Sequence, residues 1–250
     1  MRAVRFSTQL GFQIEPLTWS AICTHASNIA QISGERISIE LESILVHPNR
    51  SAGASMLFES GLAEAIFPGL FSKHGKTAIE VLSQLREKID YALALASLFA
   101  GCETDFAVEM SRALKLSRSQ AKHIKFLLTN RGTLLDDQMS LANLKKILAK
   151  PYFGDLFEFQ RAIQMAEGGQ DCTTPLENLS NRIKELGDID LTPDPLLNGH
   201  DLIRLGAVPG PALGQLSEEL YIAQLEGQLK NLEQAEQWAQ KWLQKHREIK

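Results

Sequence analysis

Arg118, Lys122 and Lys125 recur at i, i+4 and i+7, a spacing that puts three cations on one face of any helix containing them. Ser117 and Gln120 stand at capping-box distance and mark where that helix starts. Ala121, Ile124 and Leu128 form a separate apolar stripe, so the helix can dock inward while its charged side faces water, the form expected of a surface that follows nucleic-acid phosphates. Lys115 extends the charge by about a turn, and Lys145 and Lys146 belong to the same basic window. A solvated helix face is the plainer reading of the same stripe. A second candidate is the run from Leu202 to Gly214, a short helix, a glycine-proline hairpin and a longer helix. Gly206, Gly210 and Gly214 there permit close backbone approach, and a helix N-terminus offers amides to a phosphate. Pro209 and Pro211 each remove one such amide, and glycines also serve simply to pack helix corners.

Catalytic patterns are weak. Asp188-Ile189-Asp190 has the Asp-x-Asp spacing of a two-metal site, but it lies in a polar Gly/Pro-rich stretch with no Gly-Ser phosphate loop before it. His200-Asp201 lacks the further His and Asp of a metal phosphohydrolase, and Asp201 reads better as a helix-starting residue. No GxSxG, P-loop, GxGxxG or HExxH occurs. No catalytic residue and no metal ligand is expected in this sequence.

The elements that must position these residues are helical. Apolar residues recur at helical spacing in Ile37-Leu41-Ile44-Leu45, Ile79-Leu82-Leu85-Ile89 and Ala92-Leu95-Ala96-Phe99, and no segment alternates strictly enough to demand a strand. The fold class expected is all-α. Breakers at Gly34, Pro48 to Gly53, Pro68-Gly69, Gly101, Gly132, Pro151 to Gly154 and from Gly168 to Pro195 suggest four parts: residues 1–70, 71–168, a linker at 169–195, and 196–250. Within the linker, Leu176 to Leu186 has room for a short helix. Ala3, Phe6 and Leu10 share one face of a first helix that Gly11 stops, yet nothing before Arg2 caps it. Such a short helix needs either docking or an upstream continuation.

With 250 residues and 44% hydrophobic content the chain has enough apolar material for real cores, so disorder over most of its length is excluded. Its net charge is −4, but Met110 to Lys150 holds nine basic residues against Asp136 and Asp137, so a basic patch sits on an acidic protein and can attract polyanions locally. Cys23, Cys102 and Cys172 lie far apart, odd in number and without metal-ligand spacing, which fits a reducing cytoplasm. No apolar run nears the roughly 20 residues of a membrane span, and the N-terminus lacks a signal-peptide core.

The opening Met1-Arg2-Ala3-Val4-Arg5-Phe6-Ser7-Thr8-Gln9-Leu10-Gly11-Phe12, followed by Ile14-Glu15-Pro16-Leu17-Thr18, resembles the neck helices of the CCA-adding tRNA nucleotidyltransferase and bacterial poly(A) polymerase family. Ile32-Ser33-Gly34-Glu35-Arg36-Ile37-Ser38-Ile39-Glu40-Leu41 is similar to that family's Ser-x-Glu-Arg-Ile…Glu-Leu motif, and Gly61-Leu62 with Ile66-Phe67-Pro68 to its Gly-Leu…Ile-x-Pro segment. Near the other end Pro195 to Ile203, the Pro209-Gly210-Pro211…Gly214 hairpin and Ala223-Gln224-Leu225-Glu226-Gly227 agree independently. The strong resemblance covers about Met1 to Leu70 and Pro195 to Leu243; the middle follows by helical pattern and order.

The resemblance implies nucleotide addition to an RNA 3′ end by an α/β head with a Gly-Ser loop and Asp-x-Asp, followed by a nucleotide-selecting neck and an RNA-holding body and tail. It further implies magnesium and ATP or CTP as cofactors of the head alone, with none held by this chain, and RNA, most naturally tRNA, as partner. This sequence departs from the plan: the head and the Glu-Asp-x-x-Arg motif are absent from it. Met1 then reads as an internal methionine of a longer enzyme, the boundary of a cloned piece, or the start of a headless relative. Arg2 and Arg5 match the neck-helix arginines beside the nucleotide pocket, with structural salt bridges as the alternative. Ser33, Glu35 and Arg36 match the motif that braces the neck, by capping and local pairing. The expectation is an RNA-binding helical portion, inactive alone. The alternative is a non-catalytic adaptor that binds protein or RNA, using Trp238 and Trp242 at i and i+4 as an exposed anchor.

Overall fold

The computed structural model describes residues 1–168, 173–187 and 189–247, apart from the side chains of residues 71–73 and 247. Among them are fifteen α-helices and no strand. In order these are α1 (Arg2–Leu10), α2 (Pro16–Thr24), α3 (Gly34–Leu45), α4 (Arg50–Glu59), α5 (Leu62–Ile66), α6 (Phe71–Gln84), α7 (Tyr91–Leu98), α8 (Thr104–Ala113), α9 (Arg118–Thr129), α10 (Leu141–Leu148), α11 (Phe153–Gly168), α12 (Thr174–Leu186), α13 (Gly199–Arg204), α14 (Pro211–Leu225) and α15 (Leu232–Arg247).

The chain divides into two compact units, Met1–Asp137 with Gly154–Arg182, and Gln138–Phe153 with the residues from Ile183 onward. In the first unit α7 is the centre, because every one of its eight residues is buried. Its alternation of Ala and Leu lets neighbouring helices approach closely, and α3, α6 and α9 all pack on it. Asp90 caps it, accepting from the Leu93 amide at 2.8 Å. Phe67, Phe99 and Phe106 continue this core edge to face, with centroid separations of 5.2 and 5.8 Å. The expected faces Ile37-Leu41-Ile44-Leu45 on α3 and Ile124-Leu128 on α9 are buried.

Two backbone-level devices join the helices. The Arg50 guanidinium, 2% exposed, gathers the carbonyls that end α3 and those of the turn after α6. Gly34 lies so close to the C-terminal end of α8 that an added Cβ would collide with the Ala113 carbonyl oxygen, a backbone atom that cannot swing aside. Replacing Gly34 with alanine should therefore destabilise the first unit by about 3 kcal/mol, overriding the gain of about 1 kcal/mol in helix propensity. Thermal unfolding of the variant measures this, and an unchanged or raised midpoint would refute the close approach.

Several expectations are corrected. α1 starts at Met1 without a side-chain cap and ends at Gly11 in the left-handed region, as read, but it docks through Val4 and Thr8, while Phe6 and Leu10 are exposed. Packing on α3 and α4 supplies what the missing cap does not. The division at residue 70 does not separate units, since α4 packs on α6 across it. The short helix that Leu176 to Leu186 allows within the stretch 169–195 is present as α12, with Leu176 and Leu179 buried. The second unit combines α10 with α13, α14 and α15 around Leu202, Leu216, Leu220, Ala235, Ala239 and Trp242.

Candidate nucleic-acid interface

The turn from α8 into α9 is a Schellman motif: Leu116 donates to the Ser111 carbonyl and Lys115 to the Arg112 carbonyl, both at 3.0 Å. Lys115 occupies the left-handed position with φ 57°, and it is the one non-glycine residue with positive φ among those described. Glycine is relaxed there, whereas lysine costs on the order of 1 kcal/mol. One turn on, Ser117 and Gln120 form the capping box read from the sequence, with the Gln120 amide donating to Ser117 Oγ at 3.2 Å and the Ser117 amide to Gln120 Oε1 at 3.0 Å. α9 then buries His123, Ile124, Leu127 and Leu128 and exposes Arg118, Lys122 and Lys125.

Five cations cluster on α8 and α9 and the turn between them. Arg112, Lys115, Arg118, Lys122 and Lys125 are all exposed, and among the described residues none forms an ion pair. Some other basic residues are committed within their units. Arg131 donates to the carbonyls of Ala100 and Cys102, and Arg161 to Glu158. Lys145 and Lys146 lie on α10 in the second unit, where Lys145 is 8% exposed and donates to the Leu225 carbonyl at 2.8 Å. Lys146 pairs with Glu218 at 2.5 Å. The basic window of the sequence is thus split between two units, a division that charge counting does not reveal.

Arg2 and Arg5 meet on Glu40 of α3. Arg5 Nε is 2.9 Å from Oε2, and Arg2, 82% exposed, is 3.5 Å from Oε1. Arg5 also donates to Gln9 at 3.1 Å and lies 4.1 Å over the Phe6 ring. Bridging α1 to α3 is the role this geometry gives Arg5. Beside them Met1, Ile29, Ile32 and Ile39 line a groove of about 490 Å³ together with Arg36. Ser33 occupies the N-cap of α3 without a side-chain cap bond, and Glu35 and Arg36 are exposed with no ion pair among the described residues. The bracing instead comes from Gly34 and from a 3.2 Å hydrogen bond between Ser38 and Tyr91.

In the glycine hairpin, Gly206 and Gly210 have φ of 102° and 148°. Leu213 and Gly214 donate their amides to the Gly210 carbonyl, and Pro211 has none, so the start of α14 keeps little of an anion cup. Asn198 caps α13, and Asp201 at its third position completes the capping box. Asp190 Oδ1 accepts from the Thr192 amide at 2.9 Å, while Asp188 lies outside the described residues. Trp242 is 8% exposed, donates to Glu219 at 2.7 Å and stacks on His246, so the aromatic pair packs into the second unit rather than forming an exposed anchor.

A cluster the sequence reading missed lies under α9. His123 is 5% exposed, with Nδ1 3.4 Å from Asp90 Oδ2 and Nε2 3.4 Å from Asp155 Oδ2. Burial alone would lower the imidazole pKa, but the bonds to Asp155 and Asp90 outweigh it and push it up to about 9. Asp90 is held below its usual range, chiefly by the bond to His123. These three residues come within metal-ligand reach of one another, yet a single ring presents opposite nitrogens to two carboxylates, and Arg86 occupies Asp155 at 2.6 Å. Two cations and two anions already balance, which favours an ionic clamp over a metal centre.

The described fold is all-α, and the exposed cations of α8 and α9 give it a surface that can face a polyanion. Residues 11–74 match a protein-family model described as the probable RNA and SrmB-binding site of polymerase A. The CCA-adding enzyme of Lacticaseibacillus paracasei is 30% identical over 242 residues, covering 93% of this chain and 56% of the relative. That of Limosilactobacillus fermentum is 29% identical over 242 residues, covering 92% and 56%. Among solved structures, the Bacillus stearothermophilus CCA-adding enzyme in complex with CTP aligns over 100% of this chain and 62% of its own, with TM-score 0.77 and 22% identity. The Thermotoga maritima CCA-adding enzyme complexed with tRNA aligns over 97% and 60%, with TM-score 0.58 and 17% identity. These likenesses support the CCA-adding enzyme and poly(A) polymerase family, with the chain similar to its C-terminal, helical portion. It spans about half the length of the curated relatives it matches.

Proposed function

We propose that this chain binds RNA, with tRNA as the fitting partner, through the backbone phosphates that meet the cationic face of α8 and α9. The observation that carries this reading is that Arg112, Lys115, Arg118, Lys122 and Lys125 stand exposed and without anionic partners on a chain whose net charge is −4. A lysine kept at a strained left-handed position adds support, because the side chain there has a cost that glycine would avoid. The relative solved with tRNA and the family description point to the same ligand.

Joined to an α/β head, such a module belongs to an enzyme that extends RNA 3′ ends, by attack of the terminal hydroxyl on the α-phosphorus of CTP or ATP with departure of pyrophosphate. The curated relatives favour CCA addition over polyadenylation. In this reading magnesium and the nucleotide are held by that head, and the Asp90, His123 and Asp155 group, although within metal-ligand reach, serves as an ionic clamp. The cytoplasm fits the substrate, and no helix among the described residues is long and apolar enough to cross a membrane.

Binding of fluorescently labelled tRNA to the whole chain at low salt tests the reading. Saturable binding is expected, unchanged in a Lys146→Ala control; no binding at low salt by a folded protein would overturn it. Incubated alone with CTP, ATP, magnesium and tRNA, the chain should incorporate no nucleotide above background. Robust incorporation would contradict its reading as a non-catalytic portion.

A further inference from the structure

α9 is an awkward helix to hold still. Arg118 sits at its first position, at the positive end of the helix dipole, with no acid in the first turn, and Lys122 and Lys125 repel along the same face. Its apolar inner residues, Ile124, Leu127 and Leu128, provide adhesion but little direction. His123 is set among them, at a core position where an apolar side chain would pack without the cost of burying charge. Its two carboxylate partners come from opposite sides and different elements: Asp90 from the cap of α7, Asp155 from the first turn of α11.

We propose that His123 is the positioning residue of the cationic face. Its imidazolium, clamped between Asp90 and Asp155, fixes the rotation of α9 and so the direction in which Arg118, Lys122 and Lys125 meet RNA. The inference rests on the RNA-binding reading and adds to it the group that orients the interface. The charged surroundings are consistent with one clamp. Asp90 is the carboxylate offered by α7, and Asp155 by α11, with Arg86 on its other oxygen. Glu158, one turn further on α11, is taken up by Arg161 and the Arg86 amide. On α8, Asp105, Glu109 and Arg112 are exposed, as are Lys122 and Lys125 on α9 itself. The pKa of His123 is raised on folding, so its contribution is complete below about pH 6.5 and is lost as pH climbs through about 9.

The test compares tRNA dissociation constants of the wild-type chain and His123→Gln from pH 7 to pH 10. Lysine titration affects both proteins equally, so the ratio isolates the clamp. The variant should bind about fivefold more weakly at pH 7, and the ratio should fall to one by pH 10 as the wild type loses its proton. Asp90→Asn provides a second variant that removes one charge while keeping a good helix cap, and it should show the same convergence. The wild-type ring itself, followed by NMR, should titrate well above 6.5. Equal affinities at pH 7, a ratio that does not change with pH, or a ring midpoint near 6.5 would each overturn the inference while leaving the RNA reading intact. A wild type that fails to bind tRNA at low salt would overturn both.

Discussion

Replacing Arg50 with alanine should remove about 4 kcal/mol from the stability of the first unit and lower its melting midpoint by about 10 °C. The guanidinium donates from Nε to the Leu45 carbonyl at 3.1 Å, from Nη1 to Leu85 at 3.3 Å and Arg86 at 3.0 Å, and from Nη2 to Val46 at 3.4 Å and Glu87 at 2.5 Å. Helix ends leave carbonyls unpaired, and here one buried side chain satisfies those of α3 and of the turn joining α6 to α7. Burial lowers the arginine pKa, opposed by Glu158 and Glu87, but a guanidinium stays charged at any working pH. Alanine leaves several acceptors without donors, each costing on the order of 1 kcal/mol, besides the cavity. Lysine should recover only part of the loss, because one ammonium cannot span both carbonyl sets. Calorimetry on the three proteins checks this, and a midpoint shift of less than about 2 °C for Arg50→Ala would contradict the assigned role.

That residue also shows where reading the sequence stops. Arg50 follows Pro48-Asn49 and looks like part of a breaker, because nothing local announces carbonyls 35 to 37 residues away. The same distance problem hid His123, which looks like a polar interruption in an apolar stripe until α7 and α11 bring Asp90 and Asp155 beside it. Local physics was legible. The capping box at Ser117 and Gln120, the left-handed stop at Gly11 and the buried face of α3 all follow from spacing within one or two turns. Gly34 stood inside a recognised motif, yet its reason is the backbone of α8, nearly 80 residues further along the chain. Lys145 and Lys146 show the converse: charge summed along the chain does not say which unit a helix joins.

The largest effect on binding is expected at the cationic face. Exposed cations gain affinity mainly by releasing counterions from phosphates, so each contributes to the salt dependence as well as to the strength. Lys115, Arg118, Lys122 and Lys125 are exposed, so replacing all four with alanine should leave the fold intact. It should also weaken tRNA binding at low salt by about a hundredfold.

Whether RNA lies on this face is read directly from the tRNA dissociation constants of the wild-type chain and this quadruple alanine variant over a salt series. Steep salt dependence is expected for the wild type, with a logarithmic slope shallower by about 3 for the variant. Parallel slopes of equal affinity, from two equally folded proteins, would place the RNA elsewhere and leave α9 a solvated face.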